Sequence, residues 1–164
     1  MNPRITGLHT SDGGVPKLPV QSLEITNIGC HGDKQNDLKH HGGIDKAVCL
    51  FQQEIIDQLN LDGHPIDAGS TGENILIKGI PIGDIYPGVV IKFPHVELIV
   101  TQDAPPCKTI KASFKNGYFN AISHKKKPHY TRWYARVIKE GVVSVDDSVS
   151  CLLYTSDAAD EHGC

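Results

Sequence analysis

The sequence predicts a mainly β fold, a closed or nearly closed barrel of short strands with small helical insertions. Among the 164 residues are 16 glycines and 10 prolines but only ten aromatic residues, a balance that favours strands and turns over a helical bundle. Short segments rich in valine and isoleucine recur along the chain, and several alternate apolar with polar residues. Closure would remove the exposed edges of such a sheet.

Seven strands are expected in chain order. They span residues 22–28, 46–51, 73–79, 88–93, 95–102, 133–141 and 142–149. Turns rich in glycine and proline, such as "SDGGVPKLP", separate them. Two helices are predicted: one over 52–61, with Ile55, Ile56 and Leu59 on one face, and a short one within 107–114. Neither an internal repeat nor a linker interrupts the pattern, so one domain is expected.

The last residues, "CLLYTSDAADEHGC" (151–164), do not continue the strand pattern. Residues 151–161 match the conceptual translation of a transposase-type sequencing adaptor. We therefore predict a domain over 1–150, truncated at its C-terminus, and a read-through tail over 151–164 that is not part of the fold. Without the tail the formal charge rises from −3 to zero, because three acidic residues and no basic residue leave with it.

The remaining three cysteines are Cys30, Cys49 and Cys107. An odd, widely spaced set argues against a disulfide framework and for reduced thiols. The chain has no run of eighteen apolar residues, and its first residues lack a signal-peptide pattern. A cytoplasmic protein with a small-molecule substrate is expected, with neither nucleic acid nor membrane as a partner.

The stretch "GCHGDKQNDLKHHGGIDKAVCLF" (29–51) combines glycine, histidine, aspartate and cysteine. Between Gly32-Asp33 and Gly42-Gly43, its polar part is expected to form a loop at one end of the barrel. Glycines permit a ligand to approach the backbone, and successive N–H groups can bind an anion. Turn capping by Asp33 and its neighbours is an equally good interpretation.

A zinc site is disfavoured in this stretch. The candidate ligands are Cys30, His31, His40, His41 and Cys49, and they contain neither a C-x2-C nor an H-x3-H pair. Cys49 lies within the apolar run "AVCLF" and is predicted to be a small core side chain.

Two further motifs carry polar or reactive groups. In "STGENILI" (70–77), Gly72 turns the chain, and the pair Glu73-Asn74 could orient the amino groups of a ligand or satisfy loop amides. In "APPCKTI", Cys107 follows two prolines at a predicted helix start, where free N–H groups favour the thiolate. A thiolate can ligate a soft metal or carry a sulfane sulfur, although a lone cysteine is more commonly buried and inert.

Together these motifs resemble the MOSC domain, named for the C-terminal region of molybdenum-cofactor sulfurase. The matching segments are "SDGGVPKLPV" (11–20), "GDKQNDLKHHGGIDKAV" (32–48), "STGENILI" (70–77), "VTQDAPPCKTI" (100–110) and "RWYARVIKEGVVSVDDSV" (132–149). The resemblance runs through residues 5–149. It is closest to the small stand-alone bacterial group that includes a protein protecting against 6-N-hydroxylaminopurine.

The resemblance implies a molybdenum–pterin cofactor, with Cys107 as the molybdenum ligand and catalytic residue. The implied cofactor-binding residues are Gly32, Asp33, Gln35, Asp37, His41, Gly42, Gly43, Asp45, Lys46, Gly72, Glu73 and Asn74. The implied activity is reduction of N-hydroxylated bases or amines, with an electron-donor protein as partner. The alternatives are a non-enzymatic carrier of sulfur, as a persulfide, or of the cofactor, and a plain anion-binding barrel.

The sequence departs from the family pattern just before the Pro-Cys step. Many relatives have an arginine there, where this chain has Asp103-Ala104. If that arginine holds a cofactor phosphate, Arg132, Arg136 or Lys17 must replace it, since a run such as Lys125–Lys127 is more commonly a solvated face. Pyridoxal phosphate is also associated with the family, but no lysine here lies in a setting that favours a Schiff base.

Overall fold

A computed structural model describes residues 2–34 and 43–153, and these form a mainly β protein with few helices. The strands of this part of the chain are β1 (Arg4–Thr10), β2 (Leu18–Val20), β3 (Ser22–Thr26), β4 (Gly29–Cys30), β5 (Val48–Gln52), β6 (Ile75–Lys78), β7 (Val89–Lys92), β8 (Glu97–Ala104), β9 (Arg132–Lys139), β10 (Gly141–Ser144) and β11 (Ser150–Leu153). The predicted mainly β class with small helical insertions and all seven predicted strands are confirmed. Strands β1, β2, β4 and β11 were not predicted.

Two sheets organise these strands. The larger has eight strands in the order β11-β7-β8-β9-β5-β6-β1-β2, and the smaller has the order β10-β3-β4. All pairs are antiparallel except β5 and β6, which are parallel. The helix α1 (Gln53–Leu61) lies in the crossover between β5 and β6, as a parallel connection requires.

The predicted barrel closure is not established by the strand order, because the ladder ends at β11 and at β2. The start of β1 does bond to the segment that precedes β11. The Ile5 N–H donates to the Asp147 carbonyl at 2.9 Å, and the Val149 N–H donates to the Pro3 carbonyl at 3.1 Å. A closed or nearly closed barrel therefore stays a prediction.

The helices are short. Helix α1 buries Ile55, Ile56 and Leu59, which confirms the predicted helix and its apolar face. The other helical segments described are 3-10 helices at Ile44–Lys46, Lys108–Ser113, Lys115–Gly117 and Phe119–Ile122. Within the ranges 2–34 and 43–153, no helix is both long and apolar enough to cross a membrane.

Two apolar clusters hold the elements together. The larger collects buried side chains from most strands of both sheets, including Ile25, Leu50 and Trp133. The second packs α1 against the connection between β8 and β9, with Phe114 and Ile122 among its members. Each such side chain contributes about 1.5–3 kcal/mol when fully buried. The second cluster thereby fixes the connection that carries Cys107.

The predicted tail boundary needs a correction. Strand β11 continues to Leu153 and pairs with β7, with Cys151 opposite Ile91 and only 1% exposed. Residues 151–153 are apolar, and the edge of β7 offers unpaired backbone groups, so they extend the sheet. The fold thus includes three residues assigned to the tail. Residues 154–164 lie outside the described part, and the adaptor origin of the tail stays a prediction.

Candidate functional site

The central strands β5 and β9 divide their side chains between two faces. Because side chains alternate along a strand, Trp133 and Ala135 of β9 face the large apolar cluster. Tyr134 faces the other way and forms a small separate cluster with Cys49 and Ala104. Cys49 is buried, as predicted, but it lies on this second face and outside the main core. The polar residues of the site surround it.

Asp33 is the first of these polar residues. Its side chain is only 3% exposed and lies in an ion pair with Lys17, whose Nζ donates to Oδ2 at 2.8 Å. The Ser11 N–H donates to Oδ1 at 2.9 Å. The preceding Gly32 has φ +81° and open space around the position of a Cβ. Asp33 therefore ties the loop after β4 to the loop between β1 and β2.

Asn74 connects Asp33 to the sheet and is fully buried. Its Oδ1 accepts a hydrogen bond from the Cys49 N–H at 3.0 Å. Its Nδ2 donates to Asp33 Oδ2 at 2.9 Å and to the His9 carbonyl at 3.2 Å. One amide thus joins β1, β5 and the loop that contains Asp33. Since both its oxygen and its nitrogen are hydrogen-bonded to the protein, these contacts support a structural role for Asn74.

Glu73 is also fully buried. Its Oε2 accepts from the Gly69 N–H at 2.7 Å, and its Oε1 accepts from the Thr71 hydroxyl at 2.9 Å. Of the two roles left open for this carboxylate, its contacts support satisfaction of the turn. Gly72 has φ +87°, in the region that favours glycine. Direct contact of Glu73 or Asn74 with a cofactor stays a prediction.

His9 lies beside this turn and is 3% exposed. Burial lowers the pKa of His9 below its ordinary value of 6.5, and attraction to the Glu73 carboxylate opposes the shift. Its Nδ1 has no hydrogen-bond partner among the described residues. The ring passes so close to Gly7 that a Cβ there would lie 2.9 Å from Cε1. A neutral imidazole is therefore packed under the Glu73 turn.

Arg132 joins the Glu73 turn to the segment that leads to Cys107. The side chain is 6% exposed, and Nη1 donates to the Thr71 carbonyl at 2.6 Å. Nη2 donates to the carbonyls of Ala104 and Pro105 at 3.2 and 3.3 Å. Its Nε has no acceptor, and within the described chain no carboxylate forms a salt bridge with it. A buried guanidinium that has no counter-ion among the described residues favours an anion nearby.

Cys107 is half-buried and free. It precedes the 3-10 helix Lys108–Ser113, and its Sγ lies 2.8 Å from the Thr109 hydroxyl oxygen. The predicted helix start is confirmed in position. The helix is a six-residue 3-10 helix, however, and such a short segment has a smaller dipole than an α-helix.

The thiols of Cys30 and Cys49 differ from that of Cys107. Burial raises the pKa of Cys30 to about 12 and that of Cys49 to about 11. The positive charges of Arg132 and Lys17 oppose the shift at Cys49, whereas Glu73 adds to it. These two thiols are thus held in the neutral form over the physiological range.

The remaining predicted residues fall into two groups. Gly43 has φ +100°, Asp45 pairs with Arg136 at 2.7 Å, and the Lys46 ammonium lies 5.5 Å from the centroid of the Tyr134 ring. Gln35, Asp37, His41 and Gly42 lie outside the described residues. Among residues 2–34 and 43–153 there is no group of three histidine, cysteine or acidic side chains that could hold a metal ion.

A cavity of about 270 Å³ adjoins the ion pair on the side of β4. It is lined by Thr26, Ile28, Gly29, Cys30, His31, Asp33 and Ala47. Its volume is slightly below that of most small-molecule sites, which begin near 300 Å³. It offers room beside Asp33, and the Cys30 thiol and the His31 imidazole belong to residues that line it.

Sequence reasoning missed how central three residues are. Lys17 and Arg132 were considered only as replacements for a missing arginine, and His9 was not considered. One signal was available: Arg132 stands at the start of the apolar strand sequence "WYARV". A charge at the start of a buried strand requires a partner. Nothing in the sequence alone indicates that Lys17 pairs with Asp33.

Known proteins agree with this architecture. The MOSC domain family model matches residues 37–150. The uncharacterized protein YflK of Bacillus subtilis is 31% identical over 133 residues, which cover 80% of this chain and 59% of that protein. The protein YiiM of Escherichia coli is 26% identical over 152 residues, covering 87% and 65%. The chain thus spans less than two thirds of the length of these relatives.

Solved structures show the same fold. The crystal structure of the YUAD protein from Bacillus subtilis gives a TM-score of 0.77 at 18% identity, covering 94% of this chain and 98% of that one. That of YiiM from Geobacillus stearothermophilus gives 0.70 at 20% identity, covering 97% and 79%. The family match includes most of the chain, and it confirms the resemblance stated from the motifs. This chain belongs to the MOSC domain family.

Proposed function

We propose that this protein binds a molybdenum–pterin cofactor at the polar face of β5 and β9 and reduces N-hydroxylated bases or amines. The MOSC family is associated with binding of the molybdenum cofactor, which supports the first part. The observation that carries the proposal is the set of hydrogen bonds made by Arg132. They join the turn at Thr71 to Pro105, two residues before Cys107, so a cation and a half-exposed thiol lie along one continuous path.

The residues present fit such a cofactor. Its phosphate is an anion, and Arg132 is a buried cation with an unpartnered Nε. Molybdenum accepts a soft thiolate, and Cys107 is the least buried of the described cysteines. In this proposal Cys107 holds the metal and Arg132 supplies positive charge for the phosphate. Asp33, Asn74 and Glu73 keep the surrounding loops in place.

When bound, the cofactor supplies two-electron chemistry with removal of an oxygen atom. The N–O bond of the substrate breaks, and two electrons and two protons convert the hydroxylamine into an amine and water. The sequence contains no flavin or iron–sulfur motif of its own. In this proposal the electrons come from a donor protein. The chain's own part is to bind the cofactor, orient it and limit the access of water.

The test uses protein purified from a host that makes the cofactor. Molybdenum is measured by mass spectrometry and pterin by fluorescence after oxidation. Turnover of 6-N-hydroxylaminopurine is followed with reduced methyl viologen as the electron source. Cys107→Ser should retain part of the pterin but lose at least about 100-fold in turnover, because serine is a harder ligand. Cys30→Ser, which changes a thiol outside this path, serves as the control for general damage.

Two results would contradict the proposal. Equal turnover by Cys107→Ser and the parent would exclude the thiolate as an essential ligand. Absence of both molybdenum and pterin from the parent protein would exclude the cofactor. The half-exposed Cys107 thiol also supports a second candidate, a persulfide carrier. That candidate predicts one added sulfur atom on Cys107 in the mass spectrum and no turnover.

A further inference from the structure

The connection between β8 and β9 differs in charge from the rest of the protein. Residues 105–131, here called the basic insert, contain six lysines and no aspartate or glutamate. Since the whole chain has a formal charge of −3, the residues outside the insert carry −9, which is −3 less the +6 of the insert. The lysines are Lys108, Lys111, Lys115, Lys125, Lys126 and Lys127, and all are exposed.

The basic insert is a packed unit. It consists of three 3-10 helices, and its Ile110, Phe114 and Ile122 pack with α1 in the second apolar cluster. This packing leaves the lysines on the outer surface. Within the described chain none of them forms a salt bridge, and the Lys127 ammonium lies 3.7 Å from the centroid of the Tyr130 ring. The insert therefore presents a positive surface that the described part of the chain does not neutralise.

The position of the insert links this surface to the candidate site. It begins at Pro105, whose carbonyl accepts a hydrogen bond from Arg132. It contains Cys107, and it ends at Thr131, immediately before Arg132 in β9. A molecule bound to the insert would thus lie against the segment that carries the proposed metal ligand.

We propose that the basic insert is the docking surface for an acidic electron-transfer protein, which rests on the proposed reductase function. Lysines are hydrated point charges that raise association rates, and electron-transfer complexes are typically small and transient. The exposed Tyr118, at 56%, adds an apolar contact within the same segment. A donor held here would deliver electrons next to Cys107.

The surroundings of the insert favour a compact acidic protein over an extended polyanion. Helix α1 packs against the insert and carries the exposed Asp57, and the exposed Asp62 follows its last residue. A nucleic-acid duplex or an anionic bilayer would extend beyond the lysines onto this acidic helix and be repelled. A small acidic patch can contact the insert alone.

A plant-type [2Fe–2S] ferredoxin, a small acidic electron carrier, is the probe. Its binding to the cofactor-loaded protein is measured by calorimetry at low and moderate ionic strength. The double variant Lys125→Glu/Lys126→Glu leaves Lys127 and its ring contact intact. We expect it to weaken binding about tenfold and to reduce the salt dependence, because the insert then carries +2 instead of +6. The control, Lys78→Glu/Lys139→Glu, makes the same change in net charge outside the insert and should alter binding less than about twofold.

The outcomes separate this inference from the proposed function. Turnover with methyl viologen should be unchanged in the Lys125→Glu/Lys126→Glu variant, whereas ferredoxin-supported turnover should fall. Absence of viologen-supported turnover by the parent protein would contradict the reductase function. The effect of the lysine substitutions on ferredoxin binding would then test the docking surface by itself. Absence of salt-dependent ferredoxin binding, or equal weakening by the control variant, would overturn the docking surface. If the protein bound duplex DNA or phosphatidylserine vesicles more tightly than it binds ferredoxin, the choice of an acidic protein as the partner would be wrong.

Discussion

The two halves of the candidate site use polar residues in opposite ways. In the half formed by Asp33, Glu73 and Asn74, the carboxylate oxygens and the amide are hydrogen-bonded to other parts of the protein. In the half formed by Cys107, the thiol is half-exposed and lies within hydrogen-bond distance of the Thr109 hydroxyl. The first half is closed and sets the shape of the site. The second is open and is available for chemistry.

This difference determines what a substitution should measure. A buried polar group that loses its partner keeps the desolvation penalty, so changes in the closed half should appear as lost stability. A half-exposed thiol has few contacts to lose, so a change in the open half should appear as lost function. The predictions below test this division, starting with the largest expected change in stability.

Lys17→Met should destabilise the protein by about 3 kcal/mol, because it leaves the Asp33 carboxylate buried without its counter-ion. Both side chains of the pair are largely buried, at 10% and 3% exposure, so solvent screening is weak. Urea unfolding followed by circular dichroism measures the effect. Lys34→Met is the matched control, since that residue is exposed, and it should change stability by less than about 0.5 kcal/mol. Equal losses of stability from the two substitutions would contradict the burial of the Lys17–Asp33 ion pair.

His9 gives the same half a dependence on pH. Its pKa is lowered from 6.5 in the folded protein, so the unfolded chain binds a proton first as the pH falls. The stabilising contribution of the neutral imidazole is complete above pH 6.5 and declines as the pH falls toward the folded pKa. The charged groups that act on His9 are Glu73 and Asp67, which raise its pKa, and Lys17, which lowers it.

The corresponding experiment compares unfolding free energies of the parent and His9→Gln at about pH 7.5 and about pH 5.5. The parent should lose more stability than the variant on acidification, because glutamine does not titrate. Contributions from other groups affect both proteins and cancel in the difference. A parent that loses no more stability than the variant would contradict the buried, neutral state of His9.

The open and closed halves were not equally predictable from sequence. The strands and α1 follow from local patterns, since apolar alternation and the spacing of Ile55, Ile56 and Leu59 are visible in the chain. Cys107 was visible for the same reason, because two prolines and a helix start are adjacent to it. The ion pair of Lys17 with Asp33 was not visible, since the partners are 16 positions apart in the sequence. Only the folded sheet brings them together.

Short edge elements were the other failure. β2 has three residues and β4 has two, so neither provides enough positions for a period to be recognised. Residues 151–153 of β11 were assigned to the tail because they match an adaptor and do not continue the strand pattern, yet the unpaired edge of β7 pairs with them. The origin of a segment's sequence therefore does not determine whether that segment pairs with a sheet.

The smallest expected change in stability is at Cys107. Cys107→Ser should alter the unfolding free energy by less than about 0.5 kcal/mol, because a half-exposed thiol has few contacts to lose. The same exposure should make Cys107 react with iodoacetamide before Cys30 and Cys49 at neutral pH. Burial raises the pKa of Cys49 to about 11 and that of Cys30 to about 12, so neither forms appreciable thiolate there. Peptide mass spectrometry over a time course gives the order of labelling.

In urea all three thiols should react at similar rates, which provides the control for intrinsic differences. Labelling of Cys49 before Cys107 in the folded protein would mean that the polar face around β5 is open to solvent, and the division into a closed and an open half would be wrong.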